Sequence, residues 1–160
     1  MSREAHAREG AQAAIPEDRI LDVAVVMPRG STMSGVLGAT LGVAVGGSNP
    51  TAWGVAGGLL AQQANSARRG SHPSLVLAVS ERRLYVLGRR WTGLVGGWKS
   101  LTLVSFINRD DLRIERRRRG TVTIVSLIDT TTRTALEVEA QHIGGLGLRR
   151  LLAELGVDGR

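Results

Sequence analysis

The side chains of this chain that could do chemistry are few and badly spaced for it. His6, His72 and His142 are scattered along 160 residues, with nothing like the His-Glu-x-x-His spacing that sets two imidazoles on one helix face, so no metal site is expected. Asp110 and Asp111 are an adjacent acidic pair at a turn signal. Aspartate is favoured there for bonding to backbone, and neighbouring residues in an extended chain point to opposite faces, so the pair does not read as a general acid and base. There is no cysteine, which removes thiol catalysis, thiolate metal sites and disulfides together. No nucleophile elbow, phosphate loop or dinucleotide glycine signature occurs. The chain reads as non-enzymatic, with no cofactor.

Charge is the feature left to explain. The formal net charge is +7, which favours acidic lipid, nucleic acid or an acidic protein face. Its densest point is Arg116-Arg117-Arg118-Arg119, placed by the following Gly120 at a hairpin tip. Four cations in sequence repel one another and gain from a polyanion, at roughly 1 kcal/mol each near an anionic membrane. Alternation sends Arg117 and Arg119 to one face and Arg116 and Arg118 to the other. The competing account is a solvated edge whose charges block sheet-to-sheet association. Nucleic acid is the less favoured polyanion, because three Trp, one Tyr and one Phe supply little stacking surface and no RNA- or DNA-binding pattern is present.

Against this stands a stretch without any charged residue, 30–67. Gly38, Gly42 and Gly46 line up small residues on one face of a first helical half, and Gly54 and Gly58 do the same in a second, with Gly47-Ser48-Asn49-Pro50 between them. Two short helices folded back on each other are expected over 30–69. Each half covers about 23 Å at 1.5 Å per residue, short of a hydrocarbon core of roughly 30 Å. A hairpin dipping into one leaflet fits the basic flanks Arg29, Arg68 and Arg69, which stay on the cytoplasmic side by the positive-inside tendency. The alternative is packing on protein, against the chain's own sheet or a second copy. In either case Leu41, Val45, Trp53 and Leu59, with the glycines, make the contact.

The elements that would position these groups follow from periodicity. Residues 1–19 read as a polar tail or frayed helix, with Arg3, Glu4, Arg8 and Glu9 and no apolar run of a signal peptide. Strands are expected at 20–27, 75–79, 82–88, 101–107, 112–116, 122–128 and 134–139 from alternation between turn residues. Leu148, Leu151, Leu152 and Leu155 then form the apolar stripe of a closing helix, with Arg149, Arg150 and Glu154 opposite. A glycine-rich entry, Gly144-Gly145-Leu146-Gly147, suits tight packing at the start of that helix. The class is mainly β: a bent, seven-stranded antiparallel sheet or barrel capped by a C-terminal helix, with the glycine-rich helical hairpin inserted after the first strand.

Leu77-Ala78-Val79-Ser80-Glu81-Arg82-Arg83-Leu84-Tyr85-Val86 resembles the strand, tight turn and T-x-x-R-L-Y/I strand of the bacterial PH-like domains, relatives of the pleckstrin homology superfold. The later strands and the leucine-rich helix extend the resemblance over 20–157. What it implies is an interaction module for lipids, peptides or further copies of itself. In inositol-phosphate-binding relatives the basic residues surround the connection between strands one and two. This chain has neutral glycine-rich sequence there, with only Arg29, Arg68 and Arg69 at its base, so that specificity is not carried over. The expected role is a scaffold at the cytoplasmic membrane face, peripheral to the membrane, with anionic lipid or a protein as partner. The rival expectation is a soluble, self-assembling homo-oligomer.

Overall fold

A computed structural model of the chain describes residues 3–28, 75–89, 101–131, 134–141 and 147–157. Helix α1 (Arg3–Ala14) precedes β1 (Asp22–Pro28), β2 (Leu75–Val79), β3 (Arg83–Arg89) and β4 (Leu101–Asn108). A 3-10 turn at Arg109–Asp111 leads to β5 (Leu112–Arg119), β6 (Val122–Asp129), β7 (Thr134–Gln141) and helix α2 (Leu148–Glu154). The strands run antiparallel in the order β4-β3-β2-β1-β7-β6-β5.

β1 is the hinge of this arrangement. Asp22 to Val26 pair with β2, whereas Met27 and Pro28 pair with β7, so one strand is shared by two sheets. Proline at its last position ends the ladder where its missing N–H costs least. The inward rows of both sheets form one core: Ala24 and Val26, Leu75, Leu77 and Val79, Leu84 and Val86, Val125 and Leu127, Leu136 and Val138. Leu148, Leu151 and Leu152 of α2 close it, with Leu155 packed at its margin. That is the stripe the leucine spacing predicts.

The outer face of the first sheet is also covered. Val23, Val76, Ala78, Tyr85, Leu87 and Leu101 pack against Ala7, Ala11, Ile15 and Ile20, giving a helix, sheet, core and sheet in layers. Every residue of β2 is therefore buried, on both faces. Within 1–19, expected as a polar tail or frayed helix, Arg3–Ala14 form a helix docked on this sheet. Its contact residues are small and recur four apart at Ala7 and Ala11, with Ile15 just past the helix end, so backbone approaches backbone without a stripe of large apolar side chains. Gln12 then ties down the exit, donating to the carbonyls of Ile15 (3.0 Å) and Asp18 (2.8 Å) and accepting from the Ile20 N–H (3.0 Å).

One other boundary differs in a way that bears on function. β5 continues through Arg119, so the arginines lie in the strand and the hairpin tip is Gly120-Thr121. Exposed, solvated side chains on an edge strand do not interrupt pairing of its other backbone edge.

Candidate anion-binding hairpin

The β5–β6 hairpin pairs Arg116 with Val125, Arg117 with Ile124, Arg118 with Thr123 and Arg119 with Val122. Arg119 and Val122 flank the two-residue turn, and Gly120 holds φ 61° with open space around it, the backbone sign such turns need at their first position. β5 is the last strand of the order, so its outer backbone edge has no strand beside it among the described residues.

The two rows of β5 are unlike. Leu112 and Ile114 are half-buried against the core, and their row continues outward as Arg116, half-buried, and Arg118, exposed. The other row is Arg113, Glu115, Arg117 and Arg119, all exposed. Within it Arg113 meets Glu115 at 2.9 Å, and Arg117 reaches across β6 to Glu137 of β7 at 3.2 Å. The same Glu137 oxygen accepts from the Ser126 hydroxyl at 3.3 Å. Such exposed pairs contribute at most about 1 kcal/mol to stability, yet they neutralise charge locally. Arg118 and Arg119 have no ion pair among the described residues.

Register also relates this hairpin to the exit of β1. Pro28, Val138, Val125 and Arg116 form one rung across four strands, which separates Pro28 from Arg116 by about 14 Å at strand spacing. Arg29, Arg68 and Arg69 lie outside the described residues, as do Gly38, Leu41, Gly42, Val45, Gly46, Trp53, Gly54, Gly58 and Leu59. Of the residues expected to bind an anion, Arg116 to Arg119 are brought together on one hairpin.

A second polar cluster was not expected from the sequence. Asp18 Oδ2 accepts from the Ser80 hydroxyl and from the Tyr85 hydroxyl, each at 2.8 Å. Burial pushes the Asp18 carboxyl up, but those two hydrogen bonds and the charges of Arg82 and Arg83 outweigh it and hold the group below its ordinary range. Burial and the Asp18 carboxylate push the Tyr85 hydroxyl up. Ser80 also accepts from the backbone N–H groups of Arg82 (3.3 Å) and Arg83 (3.0 Å), closing the β2–β3 turn. The Arg83 guanidinium lies 4.6 Å over the Phe106 ring. The Ser80 and Tyr85 hydroxyls thus join the segment before β1 to the first sheet through Asp18. The cluster is a structural clasp.

Between α1 and that segment runs a shallow cleft of about 440 Å³, lined by Ala5, Arg8, Glu9, Gln12, Arg19 and Ile20. Among the described residues no helix is long and apolar enough to cross a membrane, and no group of three or more His, Asp or Glu could hold a metal ion. No family model, no curated protein and no solved structure matches the chain.

Proposed function

We propose that this chain is a non-enzymatic interaction module of the PH-like kind that works at the cytoplasmic face of a membrane, holding acidic lipid through its basic hairpin and the glycine-rich segment 30–69. What supports the PH-like part of this reading is coarse: seven antiparallel strands with a closing C-terminal helix. Fold does not fix function, so the argument rests on one observation. The end of an edge strand carries four consecutive arginines, and the two nearest the tip are exposed and without an ion pair among the described residues. An anionic surface relieves their mutual repulsion.

Flotation of the full chain with phosphatidylglycerol-containing and neutral vesicles tests the reading. Binding to the anionic vesicles is expected, weakened by salt through the hairpin and persisting in salt through segment 30–69. A full chain that floats with neither vesicle under any condition overturns it.

A second reading, a soluble self-assembling module, is favoured by the opposite edge of the sheet. β4 contains no charged residue and leaves Leu103 40% exposed. Concentration-dependent sedimentation without vesicle binding would select this reading.

A further inference from the structure

Not all of the arginine run is available to a ligand. Arg113 and Arg117 are matched by Glu115 and Glu137, and Arg116 is half-buried with a partner of its own. The arginines of β5 that are exposed and without an ion pair among the described residues are thus its last two, beside a turn whose glycine has open space around it. Consecutive strand residues project to opposite faces, so Arg118 and Arg119 diverge and one phosphate does not bridge them.

Resting on the membrane reading above, we infer that the contact is made end-on by the hairpin tip, with Arg118 and Arg119 entering a layer of anionic head groups on either side of the strand, and that Glu137 restrains Arg117 from joining them. The ligand this geometry fits is a laterally extended array of phosphates, and a free phosphate is too small to span the two faces. Glu137 is a tuning residue: it is oriented by Ser126 and holds the nearest arginine of the outer row away from the array.

The test measures partition of the full chain onto phosphatidylcholine vesicles with and without phosphatidylglycerol, on variants that share the wild-type melting temperature. Arg118→Gln with Arg119→Gln is expected to weaken anionic partition by about 25-fold, the change corresponding to roughly 1 kcal/mol per charge. The Lys replacements at both positions restore it. Arg113→Gln changes it less than about twofold, and Glu137→Gln strengthens it by about two- to fivefold as Arg117 is released. Inorganic phosphate displaces no more protein than sodium chloride of equal ionic strength. Equal losses from Arg113→Gln and from either tip substitution, an unchanged Glu137→Gln, or specific displacement by inorganic phosphate would each overturn the inference while leaving membrane binding intact. A wild-type chain that does not partition at all overturns the membrane reading and this inference with it.

Discussion

The Tyr85 hydroxyl donates to Oδ2 of Asp18 across 2.8 Å, although the two residues stand 67 positions apart. Tyr85 is 1% exposed and fixed in the packing beneath α1, so the bond locks the segment before β1 to the sheet. The carboxyl is held below its ordinary range, so its contribution is present above the unfolded value of about 3.9 and is lost as pH falls through the folded one. The hydroxyl is raised, so its contribution is present below about pH 10 and is lost as pH rises through its folded value. Tyr85→Phe is therefore expected to cost about 1–2 kcal/mol at neutral pH. In urea denaturation across pH, the gap to wild type narrows on both the acid and the alkaline side. A gap constant at every pH would contradict the assignment.

Gly147 and Gly120 both have positive φ, 81° and 61°, but only the first is enclosed. A Cβ at Gly147 would run into the backbone carbonyl of Val23, whereas one at Gly120 meets nothing within 4 Å. Gly147→Ala is expected to cost at least about 3 kcal/mol, since backbone conformation and the seating of α2 on β1 both suffer. Gly120→Ala costs about 1 kcal/mol from conformation alone. Denaturant midpoints of the two variants measure the difference, and equal costs would mean that β1 and α2 separate freely.

Arg109 joins the corner between β4 and β5 to the closing helix. Its Nη2 donates to the Glu154 carbonyl at 2.6 Å, at the C-terminal end of α2, and its Nη1 to the Ser80 carbonyl at 3.2 Å. A cation is well placed at a helix C-terminus, and only a forked donor serves both carbonyls. Arg109→Met, which retains the aliphatic stem, is expected to lower stability by about 1–2 kcal/mol. Arg109→Lys recovers less than half of that. Full recovery by lysine in the same denaturation assay would show that charge, and not the fork, is what matters.

Ser105 lies opposite Val86, beside the bulge of β4, and its buried hydroxyl has no hydrogen-bond partner among the described residues. An unpaired buried hydroxyl costs about 1–3 kcal/mol, so removing it relieves a penalty. Ser105→Ala is expected to leave the melting temperature unchanged or to raise it. A loss above about 1 kcal/mol would reveal a partner for the hydroxyl.

Local pattern makes the strands and the closing helix legible: the short apolar run from Leu75 to Val79 and the spacing of Leu148, Leu151 and Leu152 are readable within a few residues. The arginine hairpin was legible by composition alone. Its division was not, because Glu137 is 20 positions from Arg117 and meets it only across β6. Asp18 and Ser80, 62 positions apart, likewise leave no local mark. A signal for the layer that α1 supplies lies in β2. Val76 and Ala78 are as apolar as Leu77 and Val79, which in a strand means that both faces are covered, and so a second covering layer was required.

That layer depends on small side chains, and this gives the docking of α1 a direct test. Ala11 is 0% exposed within the cluster of Val76, Ala78 and Tyr85, whereas Ala13, two residues along the same helix, faces solvent. Ala11→Leu forces α1 away from the sheet and is expected to cost about 1–3 kcal/mol, despite leucine's good helix propensity. Ala11→Glu costs more, because a carboxylate enters an apolar layer without a donor to receive it. Ala13→Glu changes stability by no more than about 0.5 kcal/mol. Were α1 a frayed tail, the substitutions at 11 and 13 would be equally silent in thermal melts. A marked loss at Ala11 alone establishes that the amino-terminal helix belongs to the folded unit and shields the outer face of the first sheet.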